Sequence, residues 1–188
     1  VQEVASACNS VNALLVVDEA YLNFVDAPWD SLNLLCLGNI VLLRSMTKDY
    51  ALTGLRLGYS LSSSSVTTRL ASYQPDWSVN TLAQIAGQIA LNDVEYLPHA
   101  KMVVNASKEY LQTALGSMGF SVYPATANFL LVECGDGNKW QNYLMRKGIF
   151  VRDCASFGLP ECIRIGIRTI PDCERLIVAM DSGKDINR

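Results

Sequence analysis

The sequence predicts an α/β fold in two parts. Residues 1–95 read as the remainder of a larger sheet-centred domain with its connecting helix, and residues 96–188 as a small α+β domain. Three observations carry this. Short apolar runs rich in valine and leucine alternate with linking segments over residues 1 to about 72, the pattern of a buried parallel sheet. A proline-bearing connection, "QPDWSVN" (74–80), then changes the texture. Beyond residue 96 the segments read α-β-α-β-β-α.

Each element has its own signal. "ALLVVDEAY" (13–21) is a continuous apolar run ending in two carboxylates, and its length and valines fit a strand buried on both faces. "LNLLCLGNIVLLRSM" gives a helix-or-loop region and then a strand at 40–44. A strand-like piece covers 57–62, and Ser62 to Ser65 read as a turn or helix cap. A helix over 80–93 places Leu82, Ile85, Ala86, Ile89 and Ala90 at helical spacing. The long helix at 96–119 has Pro98 near its start and "GSMG" at its close. "FSVYPATANFLLVEC" supplies one or two strands, and "NKWQNYLMRKG" a helix with Gly148 at its end. "IFVRDC" and "CIRIGIRT" are strands. Pro171 and Asp172 open the last helix, "PDCERLIVAMDSG".

Composition narrows the function. Half of the 188 residues are hydrophobic and 18% are charged, a globular and not a disordered balance. The net charge of −3 and the scattered basic residues give no nucleic-acid footprint. No apolar run reaches the ~20 residues that span a bilayer, so no membrane partner is expected. Six cysteines at wide spacings without a CxxC argue against a metal site. Cys36 and Cys134 lie in apolar runs and read as small buried hydrophobes. No disulfide is expected, because the composition is that of a cytoplasmic enzyme. No signal peptide is expected. The chain has no initiating methionine and opens on what reads as mid-helix, so it reads as a fragment.

The chemistry centres on "RSMTKDYALTGLRLGY" (44–59). Ser45 and Thr47 precede Lys48, and Arg56 follows eight residues later. Two hydroxyls and a guanidinium can hold a phosphate, and a lysine beside a phosphate site is what a Schiff-base cofactor needs. Spacing alone also allows an ordinary solvated lysine. Asp18 stands at the carboxyl end of a strand, where ligands bind in open α/β sheets. A half-buried carboxylate there calls for a cationic partner such as a protonated pyridine ring. Tyr21, three residues on, could donate to a phenolic oxygen of the same ring. Asp18 and Glu19 also fit a helix cap, and for Glu19 a cap or a salt bridge is the expected role. Arg152 and Arg164 interrupt apolar strand patterns. Each fits a solvated edge position or a bidentate clamp for an anion. Arg168 is expected on the strand and face of Arg164.

"VVDEAYLNF", "SMTKDYALTGLRLGY", "NFLLVE" and "FVRDCASFGLPECIRIGIRT", in that order over nearly the whole chain, resemble the fold-type I pyridoxal-phosphate enzymes of the class I/II aminotransferase superfamily. The similarity is to the histidinol-phosphate aminotransferase branch, which includes the threonine-phosphate decarboxylases of cobalamin synthesis. The resemblance implies the C-terminal part of a three-layer αβα large domain followed by a small α+β domain, with pyridoxal 5'-phosphate as cofactor. It implies that Lys48 forms the Schiff base, that Asp18 pairs with the pyridine nitrogen, and that Tyr21 bonds the phenolic oxygen. Ser45, Thr47 and Arg56 would be the cofactor's phosphate ligands. Arg164 would grip the substrate α-carboxylate, Arg152 the substrate's phosphate, and Asn128 would lie near the substrate.

The implied activity is amino-group transfer between an amino acid or amino phosphate and a 2-oxo acid, in a homodimer whose active site lies at the subunit interface. The alternatives are a threonine-phosphate decarboxylase-like lyase and an inactive truncated fragment. The sequence departs from the family in lacking counterparts of its N-terminal arm, first glycine-containing phosphate loop, ring-stacking aromatic and "NPxNPTG"-type asparagine. The isolated chain is therefore expected to bind the cofactor weakly and not to act as a competent transaminase.

Overall fold

The computed structural model describes residues 1–184 and 186. The chain divides into two compact units, Val1–Pro98 and His99–Arg188.

In the first unit, helix α1 (Gln2–Ser10) leads into strands β1 (Leu15–Asp18), β2 (Ile40–Ser45) and β3 (Gly58–Ser62), paired in the order β1-β2-β3. β1 and β2 are parallel, as expected, but β3 runs antiparallel to β2. The segment between β2 and β3 carries no crossover helix and closes on itself, with the Met46 amide donating to the Leu57 carbonyl at 3.1 Å. The sheet is therefore mixed. Ala5 of α1 and Leu34 and Leu37 of the 3-10 turn Leu32–Leu37 pack with Val17, Ile40 and Leu42 on one face. β1 is consequently buried on one side only and not on both. It alternates in exposure along its length, and Val16 is 54% exposed.

Helix α2 (Ser64–Ala71) follows β3. Ser63 stands at its N-cap position but makes no capping bond; its hydroxyl donates instead to the Gly38 carbonyl at 3.1 Å. Helix α3 (Thr81–Asn92) is capped by the Asn80 side chain, which accepts the Ala83 amide at 2.9 Å. Its buried residues are Ala83 and Gly87, whereas Leu82, Ile85 and Ile89 are exposed. The helix packs by close backbone approach: a Cβ at position 87 would lie 2.4 Å from Leu57 Cδ2. Small residues face inward for that reason, and the larger apolar ones face out.

The division between the units falls in the first turn of helix α4 (Tyr96–Ser117). The second unit continues with β4 (Ser121–Val122), β5 (Phe129–Glu133), α5 (Gly137–Arg146), β6 (Arg152–Asp153), β7 (Cys162–Gly166) and α6 (Ile170–Asp181). Its strands form an antiparallel sheet in the order β4-β5-β7-β6. Leu111 and Leu115 of α4, Leu130 and Val132 of β5, Trp140 of α5 and Ile163 of β7 build its core. None of the six cysteines forms a disulfide. Cys134 is buried as expected, but Cys36 is exposed, because it lies on the outer side of the Leu32–Leu37 turn. Among the described residues, no helix is long and apolar enough to cross a membrane.

Candidate active site

Asp18 of β1 stands beside Leu43 of β2 in parallel register, so both strands end at the same edge of the sheet. The chain leaves that edge as two loops, the arrangement in which open α/β sheets take ligands. β3 begins at the same edge, because Gly58 pairs with Ser45. Arg56 lies two residues before Gly58. The register thus gathers Asp18, Tyr21, Ser45, Thr47, Lys48 and Arg56 at one edge of the first unit.

Asp18 is exposed and not half-buried as expected, since it falls on the uncovered face of β1. Its Oδ1 accepts the Ala20 amide at 3.0 Å, which turns the chain into Tyr21 and the one-turn helix Leu22–Phe24. A cleft of about 520 Å3 opens there, bordered by Asp18, Tyr21 and Trp29. The buried carboxylate is Glu19, 5% exposed. Of the two roles expected for it, the structure has the salt bridge: Arg44 Nε meets Glu19 Oε2 at 2.6 Å, and Arg44 Nη2 donates to Ser31 Oγ at 3.2 Å. Glu19 Oε1 is buried without a hydrogen-bond partner among the described residues.

In the β2 loop, Ser45 Oγ and Thr47 Oγ1 are hydrogen-bonded at 2.7 Å, and the Thr47 amide donates to Ser45 Oγ at 3.3 Å. Thr47 is buried, and the Lys48 side chain is exposed. Asp49 follows. Its Oδ2 accepts Asn23 Nδ2 at 2.5 Å and its Oδ1 accepts the Tyr50 amide at 2.9 Å. Burial pushes the Asp49 carboxyl pKa up, against the Asn23 and Tyr50 hydrogen bonds and the Arg44 charge, which pull it down. The Leu52 amide reaches back to the Met46 carbonyl at 3.1 Å. Ala51 (φ 54°) and Arg56 (φ 57°) are both left-handed without being glycine. Each such placement costs about 1 kcal/mol or more and persists only where its surroundings enforce it. Arg56 Nη1 donates to the Thr53 carbonyl at 3.1 Å, within the same loop.

In the second unit, Arg152 and Arg164 are direct partners across β6 and β7. Ile163 and Ile165 point into the core and both arginines to the open face, the alternation expected for Arg164. The Arg164 guanidinium lies over the Phe129 ring at 5.2 Å, and that of Arg152 over Phe157 at 5.7 Å. Arg152 Nη2 also donates to Ser156 Oγ at 3.1 Å. Burial raises the pKa of the nearby Cys154 thiol, and the two arginines act against that rise. The Asn128 carbonyl accepts the Ile167 amide at 2.9 Å, continuing the β5–β7 ladder by one residue. Arg168 is not on the strand of Arg164, which ends at Gly166. It bonds Asp172 at 3.1 Å at the start of α6 and holds that carboxyl below its usual range.

Arg44, Asn23 and Asp49 escape a motif reading. Glu19 and Arg44 had a signal, an acid and a base one residue past a shared register pair on adjacent strands. Asn23 and Asp49 had none, being 26 residues apart in two irregular loops.

The chain is 36% identical over 171 residues to a histidinol-phosphate aminotransferase of Symbiobacterium thermophilum, covering 90% of this chain and 47% of that protein. It is similar in structure to histidinol-phosphate aminotransferase from Sinorhizobium meliloti in complex with pyridoxal-5'-phosphate, with a TM-score of 0.80 and 25% identity over 100% of this chain and 52% of that one. In fold it is also like L-threonine-O-3-phosphate decarboxylase from Porphyromonas gingivalis, with a TM-score of 0.82 and 20% identity over 97% of this chain and 58% of that one. The chain spans about half the length of the relatives it matches. The model of the family described as aminotransferase class I and II matches residues 1–180, and the chain belongs to that family.

Proposed function

We propose that this chain carries the cofactor-anchoring and substrate-gripping parts of a pyridoxal 5'-phosphate-dependent aminotransferase. Its substrates would be a phosphate-bearing amino compound of the histidinol phosphate type and a 2-oxo acid. The observation that carries this reading is the meeting, at one sheet edge, of a carboxylate, a primary amine, two bonded hydroxyls and a guanidinium. That donor set suits the cofactor group by group: Asp18 for a cationic ring nitrogen, Lys48 for an aldehyde, and Ser45, Thr47 and Arg56 for a phosphate. Tyr21, on the rim of the cleft, suits a phenolic oxygen. Family membership and the relative named for histidinol phosphate support the substrate class.

When bound, the cofactor supplies a conjugated ring that takes up the electron pair released at the substrate α-carbon. Lys48 Nζ would hold the cofactor and, once the substrate amine displaces it, move the proton at the α-carbon as a general base. Asp18 would keep the proton on the ring nitrogen. In the second unit, Arg164 would bind the substrate α-carboxylate and Arg152 its phosphate, with Asn128 beside them. The exposed stripe Leu82, Ile85 and Ile89 on α3, and Trp77 at 95% exposure, support pairing with a second copy. The reading is of a cytoplasmic enzyme whose partners are small molecules and itself.

Borohydride reduction of the full gene product after incubation with pyridoxal phosphate, followed by peptide mapping, is expected to place the label on Lys48. Lys48→Ala loses it. A label on another lysine would overturn the anchor. Amino transfer from histidinol phosphate to a 2-oxo acid is the expected activity; release of CO2 with no need for a 2-oxo acid would make the protein a decarboxylase instead.

A further inference from the structure

Two side-chain ties cross between the ends of β1 and β2 and the loops that leave them. Arg44–Glu19 is the buried ion pair at the strand ends. Asn23–Asp49 lies farther out, joining the one-turn helix after Tyr21 to the residue after Lys48. The tie residues are chain neighbours of the site residues. Glu19 follows Asp18, Arg44 precedes Ser45, and Asp49 follows Lys48.

The second tie has no role in the chemistry described so far, and burial of its carboxylate is unfavourable. Both Asp49 oxygens are nevertheless in use, one on its own loop through the Tyr50 amide and one on the β1 loop through Asn23. The carboxylate is thus aimed across the two loops. The backbone it anchors passes two residues later into the left-handed Ala51. A loop with that strain keeps its shape only if something outside it enforces it.

We infer that Asn23 and Asp49 are positioning residues for Lys48. Their hydrogen bond pins the backbone just after the lysine to the segment that carries Tyr21, and so sets where the lysine amine stands relative to the β1 edge. The inference rests on the reading of Lys48 as the cofactor anchor.

The test uses the full gene product and two readouts. In the cofactor-free protein, the Tyr50 amide reports the tie directly. Asn23→Ala and Asp49→Ala are each expected to speed its hydrogen exchange at least about tenfold, with the double variant no faster than Asp49→Ala. Asp49→Asn is expected to stay within about threefold of the native rate. The new amide can still accept from Tyr50, and it can donate to Asn23 once the Asn23 amide is flipped. In the cofactor-treated protein, the rate at which borohydride fixes the label on Lys48 is expected to fall about tenfold in both alanine variants and to recover in Asp49→Asn.

Absence of label on Lys48 in the native protein overturns the anchor and the inference with it. Native labelling of Lys48, together with unchanged exchange and labelling in Asn23→Ala, overturns the inference alone. So does an Asp49→Asn protein as slow as Asp49→Ala beside a native-like Asn23→Ala, because the effect would then belong to charge and not to the tie.

Discussion

Arg152 and Arg164 face each other directly across β6 and β7, each backed by an aromatic ring, and among the described residues neither forms an ion pair. Like charges directly opposed on a ladder destabilise it by a few tenths to about 1 kcal/mol. An anion between the two forks would reverse that sign. In phosphate-free, low-salt buffer, Arg152→Gln is therefore expected to be as stable as the native protein or more stable. Added inorganic phosphate should raise the native melting temperature more than that of the variant. Equal shifts in the two proteins would remove the paired-arginine anion site.

Arg152 is held by Ser156 and Phe157, both in the one-turn helix that follows β6. Losing one hydrogen bond to a charged group is worth roughly 1.5 kcal/mol or somewhat less at an exposed site, about tenfold at most. Ser156→Ala is expected to raise KM for a phosphate-bearing substrate several-fold and to leave kcat nearly unchanged. A substrate analogue without the phosphate should show no change in KM. Steady-state kinetics on the two substrates checks this.

Most of the strands, the limits of α3 to α6 and the order of the motifs were legible because each rests on local pattern: apolar runs for β1 and β2, Asn80 and Pro171 at helix starts, Gly119 and Gly148 in left-handed conformations past helix ends. What a pattern does not carry is which neighbour covers a face. The spacing of Leu82, Ile85 and Ile89 marks an apolar stripe on α3 but not its partner, and the packed side turned out to be Ala83 and Gly87. Cys36 and Cys134 sit in similar apolar runs, and only the fold separates them. The same limit applies to the site. Ser45, Thr47 and Lys48 lie within four residues of chain and can be read as a candidate set. Glu19–Arg44 and Asn23–Asp49 are contacts between distant segments and depend on register.

Asp49 also makes a prediction about pH. Burial lifts its pKa in the folded chain above the ordinary 3.8. Between 3.8 and the raised value the native state binds more protons than the unfolded state, so this residue's contribution to stability falls as pH rises through that window. Asp49→Asn does not titrate. The denaturation midpoint of the variant relative to the native protein is expected to improve as pH is raised from below 3.8 to neutrality. A difference that moves the other way would mean that the hydrogen bonds and the Arg44 charge outweigh burial.

The cysteines differ in reactivity for physical reasons. Burial pushes the Cys134 thiol up to about 12 and raises Cys154, Cys162 and Cys173 in the same direction. Thiolate is the reactive form, so these four are protected twice, by cover and by protonation. A maleimide pulse near neutral pH is expected to modify the exposed Cys36 first, Cys8 next, and the other four only with unfolding. Peptide mass mapping reads the order directly, and early labelling of Cys134 would contradict it.

Gly87 and Gly116 are both helical, and the same substitution should act on them in opposite ways. A Cβ at Gly116 meets nothing within 4 Å, so Gly116→Ala is expected to gain up to about 1 kcal/mol from helix propensity and reduced unfolded-chain freedom. A Cβ at Gly87 would lie 2.4 Å from Leu57 Cδ2 and 3.5 Å from Met46 Sδ. Met46 stands between Ser45 and Thr47, and Leu57 follows Arg56. The end of the Leu57 side chain can swing aside, so the fold should survive Gly87→Ala with a net loss of roughly 0–2 kcal/mol once the propensity gain is set against overpacking. Relief comes at the two residues that adjoin the proposed phosphate cradle of Ser45, Thr47 and Arg56. Weaker retention of pyridoxal phosphate is therefore expected in Gly87→Ala and not in Gly116→Ala, out of proportion to any change in melting temperature. Equilibrium dialysis against the cofactor, set beside thermal denaturation of both variants, separates the two effects. Equal cofactor retention would show that α3 supports the sheet without shaping the cradle.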